Sequence, residues 1–430
     1  MNHRLPRRTL LQLSGAAVAG AAVTGLASSG ASAKTVVSYG TPGSVVEDAA
    51  WEPVFKAFND SHPDIEARYE ALGGNYGPDY LQNLQTRIAA GTAPDVFFIL
   101  DGYVAGFAER GVIDPIDDLV ASAGLDLGNY YNAHIEGLRY KDQLWGLPRD
   151  GAPVAMFYNV DAFEEAGVAL PDDTWDWDTF LEAAKTLTTR DDDGRAIMLG
   201  AGRGEWINWV WQAGGDIFNE DKSLCVLDSA EAIAGLQFLQ DLVITHKVAP
   251  SAEDLADQDQ LAMFSAGRLA TFFAARGSLG AICETDFRFN AAMAPMGKVR
   301  MGRTNDGPTA LWSGSKNKEA AFELLKFLCS EEGQRLKIKD SGFAFPSWKS
   351  LTTEDWFHAF QCGQSQGDGV NTAFQQEIEQ DFVRTWPTHP KWPEISTAIN
   401  KEIDSLYLGE KTGEQVGADA AAAVNAILAE

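Results

Sequence analysis

The sequence predicts an α/β protein of two lobes with a cleft between them, on three observations. Beyond an N-terminal export signal the 397 residues from Lys34 to Glu430 exceed one compact core of ordinary size. Short β-branched runs alternate with longer segments of helical period, which is the pattern of an α/β lobe with a largely parallel sheet. An apolar stretch bounded by Gly and Pro, near Gly146 to Gly151, reads as a strand that leaves one sheet and enters another.

The elements follow in order. "RRTLLQLSGAAVAGAAVTGLASSGASA" joins two adjacent arginines to a weakly apolar run ending in Ala31-Ser32-Ala33, a small-x-small cleavage pattern. Residues 1–33 are therefore a signal segment, and Pro6 to Gln12 resembles a bacterial twin-arginine signal. Ser14, Gly15, Gly20, Thr24 and Gly25 dilute the run below what a permanent span needs. "TVVSYG", "IEARYEAL" and "DVFFIL" read as strands, "DAAWEPVFKAFNDSHP" and "YLQNLQTRIAAG" as helices. Ligands of such sheets lie beyond the carboxyl ends of the strands, which selects Thr41 and Ser44 after the first strand and Asp101 and Tyr103 after "DVFFIL". Tyr76, in the Gly-rich "LGGNYGPDY", offers an aromatic face. A second α/β run begins at "APVAMFYNVDAF" and includes "EWINWVWQAGG", "SAEAIAGLQFLQDLVITHK" and "LATFFAARGSLGAI". "FNAAMAPMG" reads as a return strand, "TALWSGSKNKEAAFELLKFL" as a strand and helix, and the tail from Pro346 as mainly helical. No solenoid repeat is present.

Composition narrows the partners. Removing residues 1–33 leaves 31 basic residues against 61 acidic ones, a formal charge of −30, which disfavours nucleic acid and anionic lipid. Cys225, Cys283, Cys329 and Cys362 are too widely spaced for a structural zinc site. Cys329 lies among helically spaced Ala321, Leu324, Leu325 and Leu328 and reads as a buried thiol, while an oxidising compartment permits pairs such as Cys225 with Cys283. With no cysteine before Cys225, no lipid-attachment cysteine is available and a soluble periplasmic product is expected.

"GTAPDVFFILDGYVAGFAERGVIDPIDDLV", "DQLWGLPRDGAPVAMFYNVDAFEEAGV", "DDTWDWDTFLEAAKTLT", "MFSAGRLATFF" and "SGSKNKEAAFELLKFLCSEEGQ" occur in the order and spacing of a known family. The chain resembles the extracellular solute-binding proteins of carbohydrate ABC transporters, the maltose-binding-protein-like family, over essentially its whole mature length. The resemblance implies the two-lobed type II periplasmic-binding-protein fold, with discontinuous lobes joined by hinge strands. We expect lobe 1 to comprise 34–147 and 298–345, and lobe 2 to comprise 148–297 and 346–430. It also implies a monomeric receptor that closes over a sugar and docks on a membrane permease. A partner receptor kinase, or a secreted glycan-active enzyme, are the alternatives.

By the same resemblance the loop before "WINWVWQ" contacts sugar, which adds Glu205 and Trp206, with Trp209 and Trp211 expected in the core. Where many relatives carry a Gly-Pro-Trp turn that stacks on the ligand, this chain has Arg276-Gly277-Ser278. Arg276 in the cleft would suit an anionic or sulfonated sugar, unless it pairs with one of the many acids. Gly307 and Thr309, in "TNDGPTALW", complete the candidates; Asp101 has the alternative role of a helix cap. Catalytic signals are weak. "GQSQG" around Ser365 lacks the strand and helix of a nucleophile elbow, "GAGRG" at 200–204 lacks the dinucleotide spacing, and "DDDG" at 191–194 lacks alternating calcium ligands. The expectation is a binding protein with no catalytic residue, metal or cofactor.

Overall fold

The computed structural model describes residues 33–430 apart from 75, 340, 342–343 and 367–369, so the signal segment lies outside the described residues. In chain order the first lobe contributes β1 (Thr35–Thr41), α1 (Val45–Ser61), β2 (Ile65–Ala71), α2 (Pro78–Ala89), β3 (Val96–Phe98), α3 (Val104–Glu109), α4 (Asn132–Glu136) and β4 (Leu147–Pro148). The chain crosses into the second lobe with β5 (Val154–Asn159), followed by α5 (Trp206–Gln212), α6 (Ala230–Gln240), β6 (Thr271–Ala275) and β7 (Phe289–Ala292). It returns through β8 (Gly302–Arg303) to β9 (Pro308–Leu311), α7 (Lys318–Leu328) and α8 (Glu331–Ile338). A last crossing leads to α9 (Asn371–Glu379), β10 (Val383–Arg384), α10 (Trp392–Tyr407) and α11 (Gly413–Ala429).

The first sheet has the order β2-β1-β3-β9-β4. β1 runs parallel to β2 and β3, whereas β9 is antiparallel to β3 and β4 because it comes back from the other lobe. Tyr39 and Val37 of β1 are fully buried, and Trp51, Val54 and Phe58 of α1 recur at helical spacing to cover them. The second sheet departs from the parallel pattern that α/β alternation suggests. Its three strands, β6-β5-β7, are antiparallel, since both neighbours of β5 run against it. Trp209 and Trp211 lie in this lobe's core, as expected, and α11 packs there against α6 while α10 packs against α11.

The crossings are zipped together. Ala152 and Asn305 exchange both backbone hydrogen bonds, at 3.0 and 3.3 Å, and Gly151 exchanges both with Phe345, at 2.6 and 3.0 Å. Only at β9 does the returning chain re-enter the first sheet. The segment between β10 and α10 forms a strap across the first lobe, where Thr388 Oγ1 donates to the Gly137 carbonyl at 3.4 Å. Among the described residues no helix is long and apolar enough to cross a membrane.

Cysteine pairing differs from the pair considered above. Cys283 bonds to Cys362, tying the β6–β7 connection to the segment before α9, while Cys225 and Cys329 are buried free thiols. Cys225 packs in the second-lobe core away from Cys283, which is why it finds no partner. Ser365 sits in a turn bridged to Phe289, where its Oγ accepts from Cys362 N at 3.1 Å, so no elbow is formed. At 191–194 Asp191 Oδ1 accepts from Asp193 N and Arg195 N, at 3.0 and 2.8 Å, a plain Asx-type turn.

The disulfide closes a loop with a sequence separation of 79. Replacing both Cys283 and Cys362 with Ser is expected to lower unfolding stability by on the order of 4 kcal/mol, through the added freedom of the unfolded chain. A urea titration checks it; an unchanged midpoint would show that the link contributes nothing.

Candidate functional site

The site begins with a buried cation. Arg149 follows β4 and is 1% exposed. Its Nη1 donates to Tyr39 OH at 2.6 Å, Thr41 Oγ1 at 3.0 Å and Glu47 Oε1 at 2.9 Å, and its Nη2 donates to Tyr76 OH at 2.7 Å. Asp150 lies 3.3 Å from its Nε and also pairs with Lys337 of α8. Burial would raise the Glu47 carboxyl, but Arg149 and Lys337 outweigh it and hold the pKa at about 2. Burial, reinforced by Arg149, lowers Lys337 to about 8.

This network reassigns two sequence candidates. Thr41 is fully buried and donates to Glu47 Oε1 at 2.8 Å. Ser44 caps α1, its Oγ accepting from Glu47 N at 3.1 Å. Both hold Arg149's partners in place and neither lines the cleft. Tyr76 does line it. Gly74, at φ +87°, brings the turn so close to Tyr80 N that a Cβ would sit 2.2 Å away, so only glycine permits this approach. The Tyr76 ring then meets Phe98 edge-on at 5.2 Å with 43% of the residue exposed.

Opposite stands an aromatic wall. Trp206 opens α5, and its ring centroid lies 6.1 Å from that of Trp386 on the strap, which is 5.2 Å from that of Trp392 at the start of α10. Gly102 packs on Trp392, leaving a Cβ only 2.3 Å from the indole, so Asp101 and Tyr103 are brought directly onto the wall. Together these residues enclose a cavity of about 340 Å³ between the lobes, with Asn305 and Asn400 adding polar groups.

Arg303 of β8 lies over this wall, 5.6 Å from the Trp386 ring centre. Its Nη2 donates to Glu205 Oε1 at 2.8 Å, and its Nε bonds the other Glu205 oxygen. Its Nη1 lies 3.8 Å from Asp101 Oδ2, beyond hydrogen-bonding range. Asp101 does not cap α3, whose N-cap is Tyr103. Instead its carboxyl meets that of Asp306, a residue 1% exposed in the returning crossover. Burial raises both carboxyls above the usual range, and in Asp306 the facing Asp101 raises it further. Facing carboxyls oppose each other's ionisation, which favours retention of a proton by the pair.

The other candidates stand away from the cavity. Arg276 is fully buried behind the second sheet, where its Nε donates to Asn371 Oδ1 at 2.7 Å and its Nη1 to the Ala344 carbonyl at 2.8 Å. Burial lowers its pKa to about 9. Its Nε and Nη1 thus point into the lobe, toward Asn371 and Ala344, and it is not among the residues that line the cavity. Gly277 is exposed with open space at its Cβ position, and Ser278 is partly buried; neither lines the cavity. Gly307, at φ +51°, packs against Asp150, and Thr309 is fully buried in β9 with Oγ1 donating to the Gly307 carbonyl at 3.3 Å. Arg303, Asn305, Asp306, Trp386 and Trp392 escaped sequence reasoning. The signals were "RTNDG", polar and charged between two strands, and "TWPTHPKWP", tryptophans flanking prolines in an otherwise helical tail.

Comparison with known proteins agrees with this architecture. The profile of the family described as bacterial extracellular solute-binding protein matches residues 42–335. The maltotriose-binding protein of Pyrococcus abyssi is 26% identical over 81% of this chain and 72% of its own length. The arabinooligosaccharide-binding protein of Bacillus subtilis is 24% identical over 90% of this chain and 91% of its own. The ABC substrate-binding protein of Listeria monocytogenes solved with cycloalternan superimposes with a TM-score of 0.79 at 24% identity, covering 92% of this chain and 99% of that one.

Removing one partner of a buried pair leaves the other charge uncompensated. Arg149→Met is expected to cost roughly 3–5 kcal/mol of unfolding stability. The folded pKa of Glu47 lies below its ordinary value of 4.5, at about 2, so its stabilisation is full above pH 4.5 and fades as pH falls toward 2. Thermal melts across that acid range should show a steeper decline for the parent protein than for Glu47→Gln. Equal slopes would refute the assignment.

Proposed function

The chain belongs to the bacterial extracellular solute-binding protein family, and from that membership we propose that it is the exported receptor of an ABC importer, taking a sugar between its lobes and presenting it to the membrane permease. Members of this family bind and deliver, and no chemical conversion of the ligand is part of the proposal. The observation that carries the sugar reading is the juxtaposition of the Trp206–Trp386–Trp392 wall with Asp101 and the Arg303 Nη1 in one inter-lobe cavity. Tryptophan faces suit the C–H surfaces of a pyranose, and a donor beside an acceptor suits neighbouring hydroxyls. The two curated relatives above bind oligosaccharides by name, which supports the same class here.

The volume of about 340 Å³ sits at the low end of ordinary ligand pockets and favours a mono- or disaccharide. We place Asp101, Tyr103 and Tyr76 as contacts from lobe 1 and Trp206, Trp386 and Trp392 from lobe 2, with Glu205 acting through Arg303. An anionic or sulfonated ligand loses its intended partner, because Arg276 is turned to Asn371 and Ala344. In this reading we assign β4, through Pro148, to the first lobe and β5, from Val154, to the second, with the chain returning to the first lobe at β9 and leaving it again beyond the Gly151–Phe345 crossing. Binding and closure form one equilibrium, since a ligand touching both lobes favours the state in which both are near. Action as a soluble periplasmic monomer without lipid anchor completes the proposal.

A thermal-shift screen of residues 34–430 against mono- and disaccharides tests it. One sugar class should raise the melting temperature. Trp386→Ala should weaken that sugar about tenfold, on the order of 1.4 kcal/mol, while the unliganded variant keeps its circular dichroism. Absence of any shift, or turnover of a glycan, would overturn the receptor reading.

A further inference from the structure

We propose that the ligand is a sugar bearing a basic nitrogen, whose ammonium seats at Asp101, the cavity-lining member of the Asp101–Asp306 pair. This deepens the sugar-receptor reading and rests on it.

The argument is one of charge and unfilled valence in a closed space. Asp101 lines the cavity, and Asp306, buried and outside the lining, meets the Asp101 carboxyl. Among the described residues, Asp101 Oδ1 and Asp306 Oδ1 are buried and find no hydrogen-bond partner beyond what the two aspartates offer each other. A buried carboxylate oxygen without a donor is costly, and two facing each other are more so. Arg303 directs Nε and Nη2 at Glu205 and pairs with Asp101 only at 3.8 Å, outside hydrogen-bonding range, so its charge is shared between the two acids. Three carboxylates, Asp101, Asp306 and Glu205, thus face one guanidinium, an excess of two negative charges when all are ionised and of one when the pair holds its proton.

Neighbouring elements do not offset the excess. Asp150, in the adjoining crossover, raises the Asp101 carboxyl further. Arg149 and Lys337 are neutralised by Glu47 and by Asp150 itself. His134, buried on α4, donates or accepts at Thr304 Oγ1 at 3.0 Å and is kept neutral by burial, its pKa lowered to about 3. A ligand ammonium supplies the missing donors and one positive charge together. The balance is one proton released to solvent for each ammonium bound, with no bond made or broken in the ligand. A uronate would add a third carboxylate at Asp101 and is rejected.

The test compares matched sets at about pH 6, where an aliphatic amine is protonated. Neutral probes are glucose, galactose, maltose and cellobiose; amino probes are glucosamine, galactosamine and the fully deacetylated chitin disaccharide; acidic probes are glucuronate and galacturonate. Melting shifts and calorimetric titrations in two buffers of different ionisation enthalpy are read on the full mature chain. At least one amino probe should bind ten or more times tighter than its neutral counterpart and release roughly one proton. In Asp306→Asn both the preference and the release should disappear, and Asp101→Asn provides an independent check should that variant fold poorly. Neutral sugars binding as well as or better than every amino probe, or amino binding without proton release, overturns the inference and leaves the receptor reading standing. Failure of all three sets removes both.

Discussion

Everything around the cleft depends on keeping one guanidinium out of water. Arg149 lies where the chain leaves the first sheet, and a buried guanidinium costs several kcal/mol unless its donors are met. Its Nη1 and Nη2 donors are met by the end of β1, the first turn of α1 and the Gly-rich loop, three segments that sequence alone leaves unconnected, and Asp150 adds a countercharge 3.3 Å from Nε. The same set explains why Thr41 and Ser44 are structural. Thr41 bridges Glu47 to Arg149, and Ser44 holds the backbone from which Glu47 projects. Tyr76 is the one member that also reaches the cavity, because its hydroxyl is drawn inward while its ring stays partly open.

A second constraint comes from the crossings. They pair at Ala152 with Asn305 and at Gly151 with Phe345, so the polar residues carried by the return, Arg303, Asn305 and Asp306, are fixed to the hinge itself. The strap adds Trp386 and Trp392 from the far end of the chain, anchored on the first lobe at Gly137 and built into the second lobe's core at Trp392.

Local pattern reveals some of this and hides the rest. The alternation of "TVVSYG", "DAAWEPVFKAFNDSHP" and "IEARYEAL" is visible because period 2 and period 3.6 are short-range properties, and β1, α1 and β2 occupy those stretches. Asp101 and Tyr103 are legible as cleft residues for a topological reason, since a strand's carboxyl end is where a sheet meets its ligand. The setting of Arg276 is hidden from local pattern because what a lone cation does is decided by its partners, here including Asn371, 95 residues away. Trp386, Trp392 and Asp306 were missed for the same cause, as their positions follow from long-range pairing. The disulfide is likewise a statement about two distant segments meeting, which spacing cannot express.

The placement of charge relative to the hinge limits what can close this protein. A ligand shifts an equilibrium only by the difference between its contacts in the two states. Asp101 belongs to the first lobe, Trp206 to the second, and Arg303 reaches both through Asp101 and Glu205. An occupant that touches Trp206 alone therefore gains as much in an open arrangement as in a closed one, and binds without moving the lobes. An occupant that also meets Asp101 gains only when the wall and the first-lobe loop approach. Since Gly102 already rests against Trp392, that approach is limited by glycine's missing side chain, and any residue with a Cβ there would hold the lobes apart. For the proposed receptor, selectivity and closure thus fall to the same three-residue loop, Asp101-Gly102-Tyr103, whose acid lines the cavity and whose glycine allows the lobes to meet over it.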